Sequence, residues 1–286
     1  MPVTESMIST AVGRLAVWQT AGTEFPVLMI HGSGASKAAF RQQFVSPLGD
    51  RFRLIGVDLP GHGRSEDASA PEAYSIPNLA ATLNELVDGL GLKHLMVYGW
   101  SLGGHIGIEM LATNPAVAGL MLTGAPPISR GPLGMLRAFH TGWDMLLVSK
   151  AQFSERDVER FGRMCFGSDA PAEFLDDIRR ADGRCRTAVA RSMMRGEGAD
   201  QRRTVENAAV PVAFVNGENE RILRLSYLES IDCRTLWEGR SHLVPGAAHS
   251  PFFQRPAAFN ELFERFAGEV AMRVANPEAA VLRRAG

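Results

Sequence analysis

Gly99-Trp100-Ser101-Leu102-Gly103 is the stretch of this sequence best suited to chemistry. The apolar run Leu95-Met96-Val97-Tyr98 precedes it and a helical pattern from His105 to Thr113 follows, so the serine falls on a tight strand-to-helix turn. Such a turn lifts the hydroxyl clear of the backbone, as a nucleophile requires. A side chain at Gly99 or Gly103 would strike the neighbouring strand and helix. A serine hydroxyl needs a general base. Of the seven histidines, His249 lies in Gly246-Ala247-Ala248-His249-Ser250-Pro251, where a chain order of serine, acid, histidine puts the base. His62, in a Pro-Gly-His-Gly turn, and His31 read as loop-holding residues. His94, His105, His140 and His242 have no partner motif.

The acid is expected after a strand and before His249. Gly217-Glu218-Asn219-Glu220 places Glu220 three residues beyond the glycine that ends the run Pro211–Asn216, with Glu218 as its rival. Gly124-Ala125-Pro126-Pro127, after the earlier strand Leu120–Thr123, contains no carboxylate. A tetrahedral oxyanion needs preorganised donors. The backbone N–H of Leu102 is one candidate, and Ser33 in His31-Gly32-Ser33-Gly34 is the other, with Gly34 next. That loop has neither the phosphate-cradling Gly-x-x-x-x-Gly-Lys pattern nor the Gly-x-Gly-x-x-Gly spacing. No His-Glu-x-x-His, Cys-x-x-Cys or close histidine pair points to a metal, so neither metal nor cofactor is expected.

The elements that must position these groups alternate. Val27–Ile30 and Arg53–Val57 read as buried strands ending in glycine-rich loops, Ser75–Gly91 as a helix, and Leu95–Tyr98 and Leu120–Thr123 as further strands. Strand and helix in alternation imply a mostly parallel sheet with helices on both faces. From 126 to 204 the strand signal disappears, and Met135, Phe139, Trp143 and Met145 are among its larger apolar side chains. An interruption that long is expected to be an inserted helical cap on a core formed by 1–125 and 205–286. Alternation resumes with the strand at Pro211, a short run His242–Val244 and a helix from Pro256 to Met272. The remainder, from Ala275, reads as a frayed tail.

Composition limits the alternatives. The chain has 286 residues, 45% hydrophobic and 21% charged, with 30 Lys+Arg against 31 Asp+Glu. It lacks the basic excess that supplies most nucleic-acid affinity, and it has no apolar run of the roughly 18 residues needed for a bilayer span. Three widely spaced cysteines fit neither a disulfide framework nor a zinc knuckle. A cytoplasmic protein acting on a small molecule is the expectation, with oligomeric state open and a monomer compatible.

His31-Gly32, Asp58-Leu59-Pro60-Gly61-His62-Gly63-Arg64-Ser65, the Ser101 motif, Gly217-x-x-Glu220 and Ala248-His249-Ser250-Pro251-Phe252 stand in an order that resembles the α/β-hydrolase superfamily. The resemblance implies an α/β-hydrolase fold and a Ser101, His249, Glu220 triad. A narrower similarity runs through Gly99 to Met110, Phe153-Ser154-Glu155-Arg156-Asp157-Val158-Glu159, Asp182-Gly183-Arg184 and Leu236-Trp237-Glu238-Gly239. These stretches look like metal-independent N-acyl-homoserine lactone hydrolases, which open the lactone of quorum-sensing signals. Ser33 stands where Asn would be expected in them, and Glu220 is followed by Arg221-Ile222 rather than a Pro-aromatic pair.

The similarity implies a serine lactonase of the quorum-quenching type, acting through an acyl-enzyme. Gly32, Ser33, Trp100, Met135, Phe139, Trp143 and Met145 would receive the substrate, the cap residues supplying an apolar trench for its tail. The competing expectations are a broad carboxylesterase or C–C bond hydrolase and, in another class, a ligand receptor with little turnover.

Overall fold

The computed structural model describes residues 3–168 and 170–276, apart from the Trp143 side chain. The expected tail beyond residue 276 therefore lies outside the described residues. Eight strands form one sheet: β1 (Thr4–Thr10), β2 (Gly13–Gln19), β3 (Glu24–Ile30), β4 (Phe52–Val57), β5 (Leu95–Trp100), β6 (Val117–Thr123), β7 (Val212–Gly217) and β8 (His242–Val244). Their spatial order is β1-β2-β4-β3-β5-β6-β7-β8. From β4 to β8 every neighbouring pair is parallel, while β1 pairs antiparallel with β2 and β2 with β4.

The antiparallel pair was not anticipated. In Thr4-Glu5-Ser6-Met7-Ile8-Ser9-Thr10 polar residues predominate and most positions are exposed, so this edge strand gives no apolar run. The strand β5 extends through Gly99 and Trp100, so the expected strand end at Tyr98 falls two residues short. The other expected strands and helices are present with boundaries shifted by at most three residues, and His242–Val244 has the expected bounds.

Central strands β5 and β7 are buried at every position, as expected where helices cover both faces of a parallel sheet. Alternate residues feed two cores. Leu28, Ile30, Val97, Leu120 and Leu122 pack with helices α1 (Ile76–Gly89) and α2 (Leu102–Thr113). On the other face Val27, Met29, Met96, Tyr98 and Met121 meet Phe259, Phe263 and Phe266 of the C-terminal helix (Pro256–Ala275).

Between β6 and β7 the described residues hold α3 (Pro132–Ala138), a 3-10 turn over Trp143–Ser149, α4 (Glu155–Phe166), α5 (Ala172–Arg180), α6 (Gly183–Arg195) and α7 (Gln201–Glu206), and no strand of the sheet. The start of α4 is fixed by a reciprocal cap between Ser154 and Asp157, and α6 ends at Gly196 in the left-handed region. This segment is pinned to the loops after β3 and β4. Ser36 donates to Asp177 at 2.6 Å, Tyr74 donates to Asp182 at 2.6 Å, and the Asp182 N–H donates to the Gly61 carbonyl at 2.8 Å. No described helix is long and apolar enough to cross a membrane.

Candidate active site

Ser101 lies between β5 and α2 with φ 54° and ψ −119°, a conformation costly for a residue with a side chain. The surrounding glycines make the turn possible. A Cβ on Gly99 would lie 2.4 Å from the Gly103 carbonyl oxygen, and one on Gly103 would lie 2.0 Å from that of Ile30. The expected collisions are therefore with α2 and β3 respectively. The turn is closed by the Ser101 N–H, which donates to the Thr123 carbonyl at 2.8 Å.

His249 Nδ1 sits 2.7 Å from Glu220 Oε2, and both residues are buried. Glu220 Oε1 accepts from the Ile222 N–H at 2.7 Å. Burial opposes ionisation of Glu220. The adjacent imidazole, with the backbone N–H groups of Ile222 and Arg221, outweighs that effect and holds its carboxyl below the usual range. A carboxylate can only accept, so Nδ1 carries a proton, and in the neutral imidazole Nε2 is then the nitrogen with the free lone pair. Nε2 is buried and has no protein partner. Glu218 is turned elsewhere, accepting from the Gly246 N–H at 3.1 Å.

Two groups fix the imidazole further. Trp100 Nε1 donates to the His249 carbonyl at 2.8 Å, and the two rings lie 5.7 Å apart. Gly124, at φ 65°, passes so close that a Cβ there would stand 2.5 Å from His249 Cε1. Sequence reasoning missed Gly124, although a glycine directly after β6 was the available signal.

Ser101 and His249 share one cavity of about 110 Å³ with Gly32, Ser33, Trp100 and Leu102. Leu102 is the first residue of α2, where a backbone N–H has no carbonyl one turn back to bond. Ser33 Oγ is buried without a protein partner. Of the anticipated trench residues, Met135, Phe139 and Met145 line this cavity; the Trp143 side chain lies outside the described residues.

Several wall residues were not anticipated. Phe161, Met164 and Cys165 come from α4, and Ile222 follows Glu220. Arg186, Val189, Ala190 and Met193 come from α6, where spacings of three, four and seven residues form one stripe. That periodicity was the signal for the stripe. Among the described residues no cluster of three or more His, Cys, Asp or Glu could hold a metal ion.

Comparison with known proteins agrees with this architecture. Residues 27–262 match the model of the alpha/beta hydrolase family. A solved structure of the N-acyl homoserine lactonase AidH, complexed with N-butanoyl homoserine, is 40% identical with a TM-score of 0.91. The match covers 93% of this chain and 97% of that one. A serine-to-glycine mutant of AidH, complexed with N-hexanoyl homoserine lactone, matches equally well, at 40% identity and a TM-score of 0.91. Among curated proteins, a pimeloyl-[acyl-carrier protein] methyl ester esterase of Nitrosomonas europaea is 27% identical over 256 residues, covering 86% of this chain and 97% of the relative.

Proposed function

The chain belongs to the alpha/beta hydrolase family, and within it we propose that this protein is a serine hydrolase that opens the lactone ring of N-acyl-homoserine lactones. The observation that carries the hydrolytic reading is the orientation of His249. Its Nδ1 is engaged by Glu220 while its unpartnered Nε2 shares a cavity with Ser101. The lactone class is supported by the 40% identity to AidH over nearly the whole of both chains.

In this reading Ser101 Oγ attacks the ring carbonyl carbon and His249 Nε2 takes the hydroxyl proton. Glu220 stabilises the imidazolium without taking the proton itself. The N–H groups of Leu102 and Ser33 receive the oxyanion. Collapse breaks the ring C–O bond, and His249 returns the proton to the departing oxygen. That alcohol stays tethered to the acyl-enzyme because it belongs to the same ring. His249 then draws a proton from water, the resulting attack releases a ring-opened acid, and Ser101 is restored. Residues 126–204 act as a cap whose Met135, Phe139 and Met145 pack against the acyl tail.

Incubation with N-hexanoyl homoserine lactone tests this directly. A single product one water heavier than the substrate is expected, and none from Ser101→Ala. Free hexanoic acid with intact homoserine lactone would mean amide cleavage and would overturn the lactonase reading. A second reading, an esterase for acyclic esters, is favoured by the pimeloyl methyl ester esterases among the relatives. Methyl or aryl esters turned over far faster than any lactone would establish it.

A further inference from the structure

Arg186 is 3% exposed and lies in the wall of a cavity whose other lining is mainly apolar. Two of its nitrogens have fixed tasks. Nε donates to the Lys150 carbonyl at 2.8 Å, and Nη2 to the Ala151 carbonyl at 3.0 Å. The guanidinium stacks on the Phe153 ring, 4.0 Å from its centroid. Nη1 is buried and has no partner. No carboxylate lies within ion-pair distance of Arg186 among the described residues. A buried guanidinium nitrogen with unused protons is costly unless something accepts from it.

We infer that Arg186 Nη1 is a recognition point for a second oxygen on the substrate's acyl group, a keto or carboxylate oxygen set apart from the carbonyl that Ser101 attacks. The inference rests on the reading of the Ser101 cavity as the substrate site, but not on the substrate being a lactone. The α6 stripe shows how both parts of such a chain are met. Arg186 stands at one end and Met193 seven residues on, roughly 10 Å along the helix axis, with Val189 and Ala190 between them. A chain lying along this stripe would place its oxygen at Arg186 and its methylenes against Val189, Ala190 and Met193. A purely hydrocarbon chain would cover Nη1 and leave its donors unsatisfied. Sites built to hydrogen-bond a polar group reject analogues lacking it for this reason.

The test uses ethyl hexanoate, its 3-, 4- and 5-oxo derivatives, and monoethyl adipate. Binding to Ser101→Ala is measured by calorimetry, and kcat/KM on the intact enzyme by product mass. At least one oxygen-bearing ester is expected to bind roughly tenfold to a hundredfold more tightly than ethyl hexanoate. Preference for a keto ester identifies a neutral acceptor, and preference for the adipate ester an anionic one. Arg186→Met should bring the ratio close to one, and Arg186→Lys should keep part of it. A general loosening of the cap would weaken all five ligands together and leave the ratio unchanged, so an unchanged ratio in Arg186→Met overturns the inference. It is equally overturned, with no reference to the Arg186 variants, if Ser101→Ala binds ethyl hexanoate as tightly as every oxygen-bearing ester. Tight, selective binding without hydrolysis by the intact enzyme would instead refute the proposed function and leave this inference standing.

Discussion

Two buried histidine groups lie at the C-terminal ends of the strands, and they are wired differently. In the first, His31 Nδ1 donates to the Gly32 carbonyl at 2.8 Å while Nε2 accepts from the Leu59 N–H at 3.0 Å, so both ring nitrogens are engaged. The ring of its neighbour His62 lies 5.2 Å away at a tilt of 58° and bonds the Pro60 carbonyl. Nearby Asp58 accepts from the Lys37 ammonium and from the N–H groups of Lys37 and Arg64. In the second group, His249 has one nitrogen on Glu220 and the other free at the cavity. His62 Nε2 is also unpartnered, but His62 is absent from the cavity wall. Similar residue types thus serve to hold loops in one place and to leave an atom available in the other. What separates them is where the remaining valence points.

Substitutions should divide along this line. The largest effect expected is on Ser101→Ala, a loss of at least about 10⁴ in kcat with little change in thermal midpoint. A folded Ser101→Ala that retained substantial turnover would remove the distinction altogether. Glu220→Gln should lower kcat by roughly 10² to 10⁴, because the amide can donate to Nδ1 and stabilise the wrong tautomer.

Asp58→Asn belongs to the holding group and should act on stability. It leaves the buried Lys37 ammonium with only the partly exposed Glu5 at 3.0 Å, a loss of about 3–5 kcal/mol by denaturant unfolding. The kcat of the folded fraction should change far less than in Glu220→Gln. Gly124→Ala sharpens the comparison from the catalytic side. The added methyl must displace the His249 ring and strain a positive φ, with kcat expected to fall roughly tenfold to a hundredfold.

The smallest effect concerns pH. Burial is the leading cause that lowers the pKa of His31, His62 and His105, to about 3 for His62 and about 4 for His105. Below about 6.5 the unfolded chain takes up protons that the folded chain refuses, so stability falls with pH between about 6.5 and 4. Asp177, raised by burial to about 6, works in the opposite direction, since its folded form gains a proton first. His242 is lowered by burial as well, so four histidines against one raised carboxylate leave a net loss, a thermal midpoint several degrees lower at pH 5 than at pH 7. His62→Gln should flatten that slope. A midpoint unchanged between the two pH values would show that these imidazoles are not kept neutral by folding.

What could be read in the sequence follows from how local its cause is. Ser101 was legible because the tight turn demands glycines within two residues, and Glu220 because the end of β7 is marked by Gly217. That Leu102 and Ser33 line the same cavity was legible from different places, Leu102 from standing next to Ser101 and Ser33 from the glycine-rich loop after β3. Edge strand β1 was not legible, since its pairing with β2 is a backbone contact that leaves most of its side chains in solvent. Gly124 meets His249 across 125 positions of the chain, so the glycine after β6 marked a place in the sequence without naming the ring it packs against. The cavity wall was legible only in part. Met135, Phe139 and Met145 stood out by size, whereas nothing in the sequence separates the buried Arg186 from the other arginines of α6.

Ile222 joins two tasks in one residue, since its N–H anchors Glu220 Oε1 and its side chain lines the cavity. Anyone redesigning this enzyme for a different substrate would be tempted to enlarge or shrink that position. A backbone shift of a few tenths of an ångström there would move the Glu220 carboxylate along with the cavity wall, so under the proposed function selectivity and speed are not independent dials at residue 222. The stripe on α6 contains no such coupling, which makes Val189 and Met193 the safer places to begin.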